Sequence, residues 1–216
     1  MSNPPLPSPS TIADALLAGD SATVLDAVSR YMSFGGAPFL VDALAHPVME
    51  QVGERWHAGT ASVADEHAAS ELLREIFSTL LPSLAWHQGG PKAVVTCAPG
   101  EQHLLGARLI SQVLALDGWR VRFLGAAPPA KDLALFVARE QPVFVGLSVT
   151  MADHIPAART ALEWIHRTAP QVRLVAGGSA SEALMPAEKE TWAVLSSTQD
   201  LLWMTRGGTD GLIVSR

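Results

Sequence analysis

A single cysteine, Cys97, serves this chain of 216 residues, so no disulfide can close within it and a reducing compartment is expected. No uninterrupted apolar run reaches the ~18 residues that a membrane-spanning helix needs. No basic-then-apolar leader opens the sequence, which leaves the cytoplasm as the expected location. Lys and Arg do not cluster and the formal net charge is -6. Without a basic footprint, direct DNA binding is not expected. Signature loops are missing too. There is no G-x-G-x-x-G after the first predicted strand and no Walker A loop, which argues against dinucleotide and P-loop nucleotide binding. Neither H-E-x-x-H nor a Cys/His cluster occurs, which argues against zinc. What is plentiful is apolar: 48 % of residues are hydrophobic against 17 % charged. That balance supports a sizeable core and excludes global disorder.

The Pro/Ser-rich residues 1–10 read as a disordered tail. From Thr11 the period turns helical. Ile12, Leu16 and Leu17 share a face up to Gly19-Asp20, and a second helix is expected from Ala22 to Met32, ending at Gly35-Gly36. A third spans Pro38 to His57, kinked at Pro47, and closes at Gly59. A fourth starts at Ser62, where Ser62-x-x-Asp65 resembles a capping box, and runs to Pro82. Short connections between amphipathic helices predict a four-helix bundle over residues 11–87.

After the Gly/Pro break at Trp86–Pro91 the pattern changes. Strand candidates Ala93–Cys97, Val121–Leu124, Val143–Ser148, Arg173–Ala176 and Trp192–Leu195 alternate with helix candidates Leu104–Leu116, Ala130–Arg139, Ile155–Thr168 and a weaker one from Ser181. Gln199–Met204 reads as helix and Gly211–Val214 as a stray strand. Such alternation predicts an α/β fold over residues 92–216, a doubly wound, flavodoxin-like parallel sheet of five strands.

Ligands of open α/β sheets bind at the C-terminal ends of the strands. The first strand ends in Glu101-x-His103-x-x-Gly106, the third in Ser148-x-Thr150 and the fourth in Gly177-Gly178. A neutral imidazole is a good transition-metal ligand, and a carboxylate two residues away is placed to hold its other ring nitrogen. Gly106 lets a bulky group approach the following helix, Ser148 offers a hydroxyl, and Gly177-Gly178 offers an open floor. Taken one at a time, His103 also reads as a polar loop residue, Ser148 as a strand end and the two glycines as a turn.

In this order and spacing the set resembles the cobalamin-binding domain family, whose pattern is D-x-H-x-x-G, then S-x-L or S-x-T, then G-G. Methionine synthase, the corrinoid methyl carriers and the CarH-type light-sensing regulators belong to it. The resemblance implies that His103 replaces the cofactor's own dimethylbenzimidazole beneath cobalt. It also implies that the released tail enters a slot lined by Ser148, Thr150, Gly177 and Gly178. Glu101 stands where most members have Asp, and its longer side chain is expected to reach the imidazole.

In the bundle, Trp56-His57 followed by Glu66-His67 matches the W-x₉-E-H signature of the CarH-type sensors. Alone, Trp56 also reads as core and Glu66-His67 as a solvated helix face. The resemblance implies that Trp56, Val63, Glu66 and His67 hold the 5′-deoxyadenosyl group of adenosylcobalamin. The expected protein is a stand-alone photoreceptor of the CarH or AerR type rather than an enzyme. Light would cleave its cobalt–carbon bond, the bundle would move, and His57 would take the upper cobalt position, with His67 next in line. His103 and His57 are thus the expected cobalt ligands. Output is expected through a transcription regulator or other protein partner, through a homo-oligomer, or through a second chromophore such as the bilin biliverdin. The alternative is the corrinoid subunit of a methyltransferase system, which shares His103, Ser148 and the glycines but must expose its upper cobalt face.

Overall fold

A computed structural model describes residues 5–81, 89–185 and 192–206. The chain divides into two compact units, Met1–Ser83 and Leu84–Arg216.

The first unit is helical: α1 (Pro9–Leu17), α2 (Ser21–Leu40), α3 (His46–His57) and α4 (Val63–Leu80). Ile12, Leu16, Val28, Leu44, Val52, Leu73 and Phe77 recur at helical spacing and are buried. The break expected at Gly35-Gly36 is a kink within α2, where Gly36 takes φ 72°. The kink expected at Pro47 is a π turn over Val41–Ala45, in which the His46 N–H reaches back to the Val41 carbonyl. Widening the helix there makes room for a proline ring that would otherwise press on the preceding turn. The capping box is complete. Ser62 Oγ accepts from Asp65 N, and the Asp65 carboxylate accepts from Ser62 N at 2.8 Å. Aspartate closes the box as well as the usual glutamate does.

The expected tail is corrected in part. Ser8 caps α1 by accepting from Thr11 N, and α1 begins at Pro9. Tyr31 Oη donates to the Pro7 carbonyl at 2.8 Å, and Arg30 donates to that of Pro5. Residues 5–10 are therefore tied to α1 and α2, while residues 1–4 lie outside the described ones. Proline carbonyls remain good acceptors although the residue lacks a donor.

The second unit is the expected doubly wound sheet: β1 (Lys92–Pro99), α5 (Leu105–Leu116), β2 (Arg120–Ala127), α6 (Ala130–Glu140), β3 (Phe144–Ser148), α7 (Ile155–Thr168), β4 (Arg173–Gly177), β5 (Trp192–Val194) and α8 (Thr198–Thr205). All pairings are parallel, in the order β2-β1-β3-β4-β5. β1 is buried from Ala93 to Ala98, as a strand covered on both faces must be. α6 and α7 cover one face, packing Leu133, Val137, Leu162 and Ile165 on Val94, Val145, Leu147 and Leu174. The helix expected from Ser181 is only a four-residue 3-10 turn, Ser181–Leu184. The strand expected at Gly211–Val214 lies outside the described residues.

Candidate functional site

Strand order reverses between β1 and β3, so the loops leaving these two strands flank the switch point of the sheet. Ala98-Pro99-Gly100-Glu101 makes a tight turn closed by Glu101 N donating to the Ala98 carbonyl at 3.0 Å, with Gly100 at φ 90°. Proline at the second position and a positive-φ glycine at the third are what a type II turn demands. The turn sends Glu101 back into the protein, where it is completely buried.

There its two oxygens are fully used. Oε1 accepts from His103 N at 3.0 Å and faces His103 Nδ1 at 2.5 Å. Oε2 accepts from Thr150 N and Met151 N, each at 2.9 Å, in the loop after β3. Burial alone would raise the Glu101 carboxyl. The donors from His103, Met151 and Thr150 overcome it and bring the group down to about 2. A permanent carboxylate thus bridges the two loops and holds Nδ1 of His103. The His103 side chain is 49 % exposed. With Nδ1 engaged, Nε2 is the nitrogen presented to a ligand. Neighbouring Cys97 is no competitor, since burial and the Glu101 charge push its thiol up to about 12.

Across the strands Cys97, Ser148 and Gly177 stand in one row, with Val95, Gly146 and Val175 in the row below. Ser148 and Gly146 are only half-buried, although β3 lies in the middle of the sheet. On the opposite face, Val145 and Leu147 are buried under α6 and α7. The face of β3 away from α6 and α7 is thus the less covered one, and the expected slot would lie along it. Below it Phe144 is buried, its ring edge-on to Trp119 at 4.9 Å.

The glycines separate by role. A Cβ at Gly178 would lie 2.4 Å from the Val149 carbonyl, and φ is 99°, so the backbone itself requires glycine there. A Cβ at Gly177 would meet only the Leu195 carbonyl, at 3.6 Å, and one at Gly106, in the first turn of α5, would meet nothing within 4 Å. A helical glycine that the protein does not need costs about 1 kcal/mol against alanine. Gly106 therefore leaves its face of the first turn of α5 open. Gly146 was missed in the sequence. A Cβ there would make ordinary contacts with Val95 and Phe144, yet it would occupy the slot floor. Its signal was a glycine inside an otherwise apolar strand.

In the bundle, Trp56 and His57 close α3, while Val63, Glu66 and His67 occupy the first turns of α4. The intervening turn is held by Arg55. Its carbonyl accepts from Thr60 N, Thr60 Oγ1 and Ala61 N, and its guanidinium binds Asp14, Ser10 and the Gln51 carbonyl. This hub was not singled out in the sequence, because an arginine near a helix end has many bland uses. Trp56 is 38 % and Val63 55 % exposed. The Trp56 and His57 rings meet edge-on at 4.5 Å. His57 Nδ1 faces the Gly53 carbonyl at 2.9 Å. Glu66 faces His67 Nδ1 at 2.7 Å and accepts from Ser70 at 2.9 Å. His57 and His67 therefore both engage Nδ1 within the unit, so Nε2 is the ring nitrogen these contacts leave over. The expected site residues accordingly gather into two groups, one on each unit.

Among the described residues no three His, Cys, Asp or Glu side chains gather around a common metal position, and no helix is long and apolar enough to cross a membrane. A metal whose equatorial ligands come from a macrocycle needs only one protein ligand, and His103 offers it beside a slot.

Known families match this chain in both units. A family model described as B12 binding domain matches residues 91–194, and a second of the same description matches residues 10–81. The HTH-type transcriptional repressor CarH of Myxococcus xanthus is 35 % identical over 148 residues, 66 % of this chain and 48 % of that protein. The HTH-type transcriptional repressor CarA of the same organism is 31 % identical over 163 residues, 75 % of this chain and 54 % of that protein. The chain thus spans about half the length of these curated relatives. The monomethylamine corrinoid protein of Methanosarcina barkeri superposes with a TM-score of 0.73 at 15 % identity, covering 90 % of this chain and 95 % of that one, which shows a shared fold. With both units matched by B12-binding models, the chain belongs to the cobalamin-binding domain family.

Proposed function

We propose that this protein is a cobalamin-dependent photoreceptor of the CarH or AerR type, and that it senses rather than catalyses. The bound group, adenosylcobalamin, supplies a cobalt–carbon bond that light breaks. His103 would hold the cobalt through Nε2, its ring oriented by the Glu101 carboxylate on Nδ1. Ser148, Gly146 and Gly177 floor the slot for the displaced nucleotide tail. Trp56, Val63, Glu66 and His67 serve the adenosyl group. His57 would supply a cobalt ligand in the lit state through Nε2, the ring nitrogen that its contact with Gly53 leaves available. An imidazole–metal bond made in one state only provides the differential free energy that a switch requires. Output passes to a protein partner such as a transcription regulator, to an oligomer of this chain, or to a bilin.

The observation that carries the reading is the Glu101–His103 pair, a single oriented imidazole beside an open slot at the sheet's switch point. For the upper-face assignment the support is Trp56, exposed at the end of α3, with Glu66 and His67 one short turn away.

The test is reconstitution with adenosylcobalamin in the dark, with and without biliverdin, followed by illumination. The expected result is a change of the visible spectrum to a bis-histidine form. His57→Ala is expected to photolyse normally and give a different final spectrum, whereas an unchanged product transfers the role to His67. No response to light would defeat the photoreceptor reading. Methyl transfer to an added partner would favour the corrinoid-carrier alternative.

Gly106 gives an independent check. Gly106→Ala is expected to raise stability by up to about 1 kcal/mol while weakening cobalamin binding, since the methyl enters only external space. Thermal melting and a cobalamin titration on the same sample read both effects. Equal affinity for the two proteins would mean that nothing rests against this turn.

A further inference from the structure

We propose that His154 is a positioning residue for the axial histidine, clasping the loop that carries Glu101 and His103 through a ring-on-glycine contact. The inference rests on the cobalamin reading for its purpose, but its geometry stands apart.

The Pro99-Gly100 turn has one face without a side chain. A Cβ built at Gly100 would lie 3.2 Å from both Cε1 and Nδ1 of His154, so the imidazole occupies the space that any other residue's side chain would need. The root of that ring is fixed. His154 ends the 3-10 turn Ala152–His154, its N–H donates to the Met151 carbonyl at 3.1 Å, and α7 begins at the next residue. His154 is half-buried.

Thr150 and Met151, whose amides hold Glu101 Oε2, belong to the same loop. The loop after β3 therefore grips the loop after β1 twice, by two amides on a buried carboxylate and by one ring on a glycine turn. The amide bonds orient the carboxylate. The ring keeps the turn from rocking, and His103 is only two residues beyond Glu101. A ligand held by one short loop inherits the looseness of that loop, and outer partners of metal ligands change affinity through this route. Two grips at separate points turn both loops into one preorganised unit before any ligand arrives.

The experiment uses the full chain, first without cofactor. In His154→Ala, hydrogen exchange at the amides of His103, Thr150 and Met151 is expected to quicken about tenfold, with exchange in the core of β3 and β4 unchanged. Cobalamin affinity is expected to fall about tenfold. His154→Phe keeps a flat ring over Gly100 and is expected to restore both. Unchanged exchange at those amides in His154→Ala would overturn the proposal, as would a Phe variant that behaves like Ala. Faster exchange in His154→Ala from a parent chain that binds no cobalamin would sink the cobalamin reading and leave the clasp standing.

Discussion

A His103→Ala variant is expected to lose cobalamin affinity by more than the ~10–100-fold typical of outer-partner substitutions, because the ligand itself is removed. Any cobalamin still bound is expected to keep its own base on cobalt. The fold has little reason to change. The ring is half in solvent, and the backbone donors on Glu101 from His103, Thr150 and Met151 remain. A stability change within about 1 kcal/mol follows. Absorbance titration measures affinity and ligation together, and thermal melting supplies the control. A variant with parental affinity and spectrum would remove His103 from the cobalt.

Glu101→Gln is expected to do the reverse, harming the fold as much as the site. The carboxylate accepts from three backbone amides and faces an imidazole nitrogen while fully buried. An amide side chain must point its own donors at one of these sets, leaving buried groups unpaired. The expected loss is about 2–4 kcal/mol. The pH dependence gives a second estimate. The folded carboxyl sits at about 2 instead of 4.5. A depressed carboxyl contributes stability that is fully present above its unfolded value and lost as pH falls through the folded one. The contribution is therefore complete above 4.5 and gone by about 2, and amounts to about 3 kcal/mol. Acid melting of the parent should show this loss between those values, and Glu101→Gln should lack it. A variant as stable as its parent, with the same acid profile, would mean that the four contacts carry no net energy.

The two substitutions differ because one residue is half exposed and the other wholly enclosed, a distinction that sequence expresses poorly. The βα alternation and the glycines that close α1 and α3 are local signals, and the alternation placed β1 and α5. What escaped depends on long-range partners. Glu101 was expected to hold His103, but its second oxygen binds the amides of Thr150 and Met151, and a backbone amide leaves no mark on residue identity. Ordering of residues 5–8 depends on Tyr31 and Arg30, more than twenty positions away. His154 was one histidine among seven until the space above Gly100 showed where its ring lies.

The half-bare middle strand bears on how long the protein survives. Gly146 and Ser148 leave this face of the middle strand only half-covered, a gap in its covering that a bound guest would close. Whatever fills the gap adds its binding energy to folding, about 2.7 kcal/mol at a hundred times its dissociation constant. Molecules that find no guest open more often and are the first to meet a protease. If guest supply sets the occupied fraction, the standing amount of this protein is expected to follow it, independently of any signal sent.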